Sequence, residues 1–439
     1  MSPYPVALDD ERRAWVEAAR AFLSRDRITE LVVGMVDIPS PTGEEAELAR
    51  HLAGTLNEAG LRGRYQEIDD RQGNAVGVLP GAGGGDDVLL YAPIDTFTVG
   101  DEAEDVPWIG DELRSDMRAR AEVRGDHVLG LGASNPKGHG AAVIAAAEAL
   151  AAAGVPLAGD VIVGLGAGGM PTNGRIARGL TRRNTGQGVG CSFMLEQGVW
   201  ADHAVIAKPG WAVAWEEVGL CWFEVRVRGT FSYVGSRHRM PYKNPIAHAG
   251  RVVQELEEWF PHYAARHTDG LVAPQGIVAS IEGGWPRLAS ATPALCRFVV
   301  DLRTSPRSTP ADVRREFGEA IAGIRAKLPD VDIEWDMILS IPGTSTPEDA
   351  PVVKAAVAAW EEAEGRPHTP ITANSGATDA NILRARGLST ARIGMDRIGP
   401  DAPMPLDFPA GMNVVDVREA ERLARHLIHT VVALAGPAR

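Results

Sequence analysis

Side chains able to do polar chemistry gather just past the ends of predicted strands. Val88-Leu89-Leu90-Tyr91 reads as a strand with Asp95-Thr96 just beyond it, and Ala204-Val205-Ile206-Ala207 reads as another that ends at Lys208-Pro209. Loops in that position are where open α/β sheets place their ligands. Asn135, Lys137 and His139 stand at the start of an Ala-rich helix predicted from His139 to Ala153 and closed by Gly154. Backbone N–H groups at a helix start can receive an anion, and an imidazole there can transfer a proton or serve a purely structural role. Gly166-Ala167-Gly168-Gly169-Met170-Pro171-Thr172 follows a short buried-type strand, Asp160 to Leu165. Its small residues permit close backbone approach and offer N–H donors to an oxyanion, or they form a simple turn.

The elements that must hold these residues alternate. After Ser40-Pro41-Thr42, Glu45 sits three residues beyond Thr42 as in a capping box, and apolar residues at helical spacing predict a helix near 43–59. Asn74 to Leu79 adds a strand, and strand, helix, strand in this order predicts an α/β sheet. From about 215 to 335 the pattern changes to long strands, Cys221–Val227 and Arg297–Arg303, with helices near 245–259 and 310–327, as in a separate α+β insert. Helices near 350–363, 379–387 and 416–434 then enclose a strand at Thr390–Ile393 that returns to the first sheet. The predicted organisation is 1–214 and 336–439 as one domain and 215–335 as the insert.

Composition narrows the function. At 439 residues, with 45% hydrophobic and 23% charged residues, the chain is globular. Its 58 acidic against 44 basic residues give a net charge of −14, which disfavours nucleic acid as a partner. Three cysteines without a CxxC suggest neither a disulfide framework nor a thiolate zinc site, and a reducing cytoplasm is expected. The most apolar stretch, Ala141 to Gly169, is broken by Glu148, Pro156 and Asp160, so no membrane span is expected.

Four ordered segments resemble the acetylornithine deacetylase, succinyl-diaminopimelate desuccinylase and glutamate carboxypeptidase family of two-zinc amide hydrolases. They are Ile38 to Glu44, Leu89 to Thr96, Gly130 to Gly138 and Ser375 to Ala380. The resemblance implies a zinc-exopeptidase-like catalytic domain with an inserted lid that commonly mediates dimerisation. It also implies ligand positions that this chain fills differently. Pro93 stands where a His is expected, Asn135 at a bridging Asp, and Gly168 and Gly169 at a glutamate pair; Lys208 falls on an acidic ligand and Asp407 on the C-terminal His. A zinc site needs three or four His, Cys or carboxylate ligands, and this set supplies too few. No metal or other cofactor is expected.

On this reading Lys208 is a fixed cation in the place of the metals, able to stabilise an oxyanion or carboxylate or, if buried, to act as base or nucleophile. Asp95 and Asp407 hold it as counter-ions, or one acts as general base; in relatives the Asp at position 95 orients the missing His, so a purely structural hydrogen bond is the alternative for Asp95. His139 completes the catalytic candidates. Asn135, Lys137, Gly168 and Gly169 are expected to line the site. Tyr233 lies near the place where relatives carry a His that reaches a neighbouring subunit, with His238 close by. Arg287 is a possible carboxylate clamp, and Asp379 either contacts substrate or caps the helix after it. The expected function is metal-independent hydrolysis of an amide, lactam or related C–N bond in a small molecule, by a cytoplasmic homodimer. A lyase or isomerase, a non-catalytic ligand-binding relative, and metal held through His139, His203 or His238 are the alternatives.

Overall fold

Helices begin where the sequence offers a cap. In the computed structural model, which describes residues 8–172, 186–396, 398–399 and 401–436, Asp9 accepts the Arg12 N–H ahead of α1 (Asp10–Arg20). Ser24 does the same for Arg27 ahead of α2 (Arg25–Val36). α3 (Ala46–Glu58) starts without such a cap, so the expected Thr42–Glu45 capping box does not form. Both side chains turn inward.

Three strands follow, β1 (Arg64–Glu67), β2 (Gly73–Leu79) and β3 (Val88–Pro93). Every residue of β3 is buried, which explains a continuous apolar run in place of alternation. α4 (His139–Ala152) is buried almost all round and is built largely of alanine, so it can lie close to its neighbours. β4 (Val161–Gly166), α5 (Val189–Glu196) and β5 (His203–Ala207) complete this stretch.

The chain then leaves for a second unit, Glu216–Ser345 with Ile371–Ala377. It contains β6 (Gly219–Arg228), α6 (Pro245–His267), β7 (Gly276–Gly283), β8 (Leu295–Thr304), α7 (Pro310–Lys327) and β9 (Asp332–Ile341). Its four strands form an antiparallel sheet in the order β7-β8-β6-β9. The unit runs past the expected limit of 335 because β9 crosses that point while pairing with β6 over Asp332–Ile341. Phe223 stacks on Phe317 with ring centroids 4.0 Å apart, joining sheet and helix in a core of their own.

α8 (Pro351–Glu364), α9 (Ala380–Ala385), β10 (Ser389–Ile393), α10 (Phe408–Asn413) and α11 (Val417–Ala435) belong to the first unit. β10 pairs parallel to β5, completing a six-stranded sheet in the order β1-β2-β4-β3-β5-β10. β4, β3, β5 and β10 run parallel, while β1 and β2 form an antiparallel flank. The predicted α/β catalytic domain with an α+β insert is the observed fold class. Among the described residues no helix is long and apolar enough to cross a membrane.

Candidate functional site

The carboxyl ends of the parallel strands bring Pro93, Gly166 and Lys208 to one edge of the sheet, since β3 ends at Pro93, β4 at Gly166 and β5 one residue before Lys208. Lys208 is buried, and its Nζ donates to Asn135 Oδ1 at 3.2 Å. The Asn135 amide is held from its other side, because Nδ2 donates to Met412 Sδ at 3.3 Å.

Asp95 is fully buried. Oδ1 accepts the Gly169 N–H at 2.8 Å, and Oδ2 accepts the Met170 N–H at 2.9 Å and the Thr42 hydroxyl at 2.7 Å. Burial raises its pKa, opposed by these donors and by the Lys208 charge. With three donors on two oxygens, Asp95 anchors the 168–170 loop and is poorly placed to be a general base.

Glu45, read from sequence only as a helix cap, lies beside it. Oε1 accepts the Gly43 and Gly168 N–H groups, each at 2.9 Å, while Oε2 is buried without a hydrogen-bond partner. Burial first, and then the Asp95 charge, push the Glu45 carboxyl up to about 8, so it is neutral at pH 7. The inward turn of Thr42 and Glu45 is what replaces the capping box.

The glycine loop therefore departs from the expectation. The Gly168 and Gly169 N–H groups are spent on Glu45 and Asp95 and are not open oxyanion donors. A Cβ on Gly169 would lie 2.4 Å from Pro93 Cβ, so a larger residue there requires the backbone to move.

Three further candidates have structural roles. Lys137 is fully buried and donates from Nζ to the Ile38 carbonyl at 3.1 Å, with burial lowering its pKa to about 7. His139 donates from Nδ1 to the Ser134 carbonyl at 2.8 Å, and Nε2 accepts the Met395 N–H at 3.3 Å. Burial, with Lys208 and Arg392 nearby, lowers its pKa to about 3. An imidazole that is neutral and engaged at both nitrogens does not shuttle protons in the way expected of it. Asp379 is buried and accepts the Tyr91 hydroxyl at 2.6 Å, while making no side-chain cap to α9.

Asp407 is not the Lys208 counter-ion. Its carboxylate receives the Arg114 guanidinium through both oxygens, at 2.5 and 3.1 Å, and caps α10 by accepting the Ala410 N–H at 2.8 Å. Arg114 holds its pKa below the usual carboxylate range. On the insert Tyr233, His238 and Arg287 are exposed, and the His238 ring accepts Arg239 Nε at 2.9 Å.

The donor set does not fit two zinc ions. Pro93, Gly168 and Gly169 have no ligating side chain, Lys208 brings an ammonium, and Asp407 is already paired. Within the first unit the alternative ligands His139 and His203 do not converge either. His139 is engaged at both nitrogens, and His203 pairs with Asp86 at 3.0 Å at the far end of β5. Among the described residues, the one His, Asp and Glu group within ligating reach is His127, Asp401 and Asp416. Arg418 already bridges its two carboxylates, at 2.6 and 2.7 Å.

A family model described as Peptidase family M20/M25/M40 matches residues 89–405. Among solved structures, the chain is similar to the di-peptidase Dug1p of Saccharomyces cerevisiae, with a TM-score of 0.72 and 10% identity over 98% of this chain and 100% of that one. Human carnosine dipeptidase 1 gives 0.69 and 15% over 98% and 100%. An amidase of the hydantoinase/carbamoylase family from Burkholderia multivorans gives 0.60 and 14% over 95% and 99%. These identities speak for the fold.

Proposed function

This chain belongs to Peptidase family M20/M25/M40, and from that membership we propose that it hydrolyses an amide, lactam or related C–N bond of a small molecule without the two-metal centre. Within the family, we read the motifs from Ile38 to Ala380 as those of the acetylornithine deacetylase, succinyl-diaminopimelate desuccinylase and glutamate carboxypeptidase group. One observation carries the reading: a buried lysine, oriented by Asn135, stands at the carboxyl ends of the parallel strands among positions that no longer ligate.

Hydrolysis of an amide develops negative charge on the carbonyl oxygen as water adds, and a preorganised cation in a water-poor site stabilises that charge strongly. Lys208 supplies the cation. Asn135 fixes the amine, and Met412 fixes Asn135. Asp95 and Glu45 tie the 168–170 loop in place, with Glu45 neutral at pH 7.

A specific observation favours a second reading, a ligand-binding relative without turnover. Asp95 and His139, the groups suited to moving a proton, are committed to internal hydrogen bonds. One experiment separates the two: purified protein is assayed on a panel of N-acyl amino acids, dipeptides, hydantoins and lactams, beside Lys208→Met. The hydrolase reading predicts turnover of at least one compound and a fall in kcat of about 100-fold or more in the variant, with folding retained by circular dichroism. Absence of turnover across the panel supports the binding reading. We further read the assembly as a homodimer formed through the insert and its setting as cytoplasmic.

A further inference from the structure

His127 is 6% exposed, and its Nε2 is buried without a hydrogen-bond partner among the described residues. Buried polar atoms seldom stay that way unless a ligand, ion or water completes them. The short strand His127–Leu129 pairs antiparallel with Val414–Asp416, in a register that sets His127 directly opposite Asp416. Residues so paired share one face of the sheet, and Nε2 lies 3.9 Å from Asp416 Oδ2. Asp401 joins them from the segment ahead of α10, and the three residues bring one nitrogen and two carboxylate oxygens within 4.8 Å of one another.

We infer that His127, Asp401 and Asp416 form a site for one exchangeable divalent transition-metal ion. An imidazole with two carboxylates suits zinc, nickel or cobalt and leaves positions for water, whereas magnesium and calcium favour oxygen alone. Arg418 is the occupant such an ion displaces. Its guanidinium meets Asp401 at 2.6 Å and Asp416 at 2.7 Å, with Asp126 3.8 Å away. Three carboxylates thus surround one guanidinium, and Arg25, the other cation nearby, is held by Glu421 at 2.6 Å. A dication offsets more of that negative charge than Arg418 does. The arginine has room to withdraw, since its side chain is 38% exposed and borders a cavity of about 320 Å³ that Glu421 also lines. Because Arg418 returns whenever the ion leaves, the site exchanges its metal and gives it up on desalting. Asp401 and Asp416 bracket the segment that carries α10 and Met412, so a bound ion ties the two ends of that segment together and stabilises the folded chain by mass action.

The test reads binding and needs no turnover. The chelator-treated full chain is titrated calorimetrically with zinc, nickel and magnesium chlorides. Wild-type protein is expected to take up one zinc or nickel ion per chain and no magnesium. Arg418→Gln, which removes the competing cation, binds zinc about tenfold more tightly or better. His127→Ala weakens zinc by about tenfold or more, and so does Asp401→Asn, a change at an exposed position that keeps the test open if the buried His127 variant fails to fold by circular dichroism. Zinc bound equally well after Asp401→Asn and a folded His127→Ala is held elsewhere and overturns the inference. So does zinc that binds Arg418→Gln no more tightly than wild type, magnesium bound as tightly as zinc, or no zinc bound by either protein.

Discussion

Glu45 and Asp95 share one loop as a hydrogen-bond source, and burial raises the pKa of both carboxyls. Asp95 gathers three donors on two oxygens and feels Lys208, whereas Glu45 leaves one oxygen bare inside the protein. Burying an unpaired carboxylate is costly, so the proton stays on Glu45. Because its pKa rises from 4.5 to about 8 on folding, the folded chain binds a proton that the unfolded chain lacks between those values. Stability from this group therefore falls as pH rises from 4.5 to 8. Glu45→Gln, which keeps the shape of the neutral acid, is expected to flatten that decline in urea unfolding followed at pH 5, 6.5 and 8. Lys137 has the opposite sign. Its folded pKa of about 7 lies below the unfolded 10.5, so its term raises stability as pH climbs from 7 to 10.5, and Lys137→Met removes that rise. At this scale the sequence was a partial guide. Lys208 and Asn135 stand out in the sequence by their places at a strand end and a helix start, and in the structure they touch. Glu45 was missed because a Glu three residues after Thr has the spacing of a cap, and nothing local reveals that a distant glycine loop needs its oxygens. Lys137 and His139 were misread for the same reason: their partners, the carbonyls of Ile38 and Ser134 and the N–H of Met395, are backbone groups without a sequence signature.

Among the elements, β3 and β4 set the floor of the site, and glycines let them do so. A Cβ on Gly166 would lie 2.0 Å from the Tyr91 hydroxyl, which is the group that donates to Asp379. Gly166→Ala must therefore displace Tyr91 and break a buried pair. A loss of about 1–3 kcal/mol, the usual cost of overpacking, is expected, read as a lower midpoint in guanidinium unfolding; an unchanged midpoint would contradict this packing. The strands themselves were legible, since continuous apolar runs bounded by turn residues mark Val88–Pro93, Val161–Gly166 and His203–Ala207 to within a residue or two. β7 was not. Its pattern, largely exposed from Gly276 to Gly283, gives no alternation to read, and its place in the sheet is fixed by pairing with β8.

On the scale of the whole molecule, the two units follow from two separate cores, one around the six-stranded sheet and one around Phe223, Phe298 and Phe317. The insert was visible as a change in pattern, and its end was misplaced because β9 lies in sequence next to the return segment. β7 is an edge strand carrying Ile277 and Ile281, 53% and 55% exposed, and exposed apolar edges pair with other strands unless blocked. If the chain dimerises through the insert, Ile277→Lys with Ile281→Lys yields monomers in sedimentation velocity, while the wild type sediments as a dimer. A dimer that survives both changes places the contact elsewhere. The proposed metal-free chemistry requires that Lys208 leave no place for two bound dications. The most direct test is a zinc titration of chelator-treated protein with the bound metal counted by elemental analysis. The prediction is well under one zinc retained per chain after desalting, with Lys208→Met unchanged. Two tightly held zinc ions per chain would contradict it.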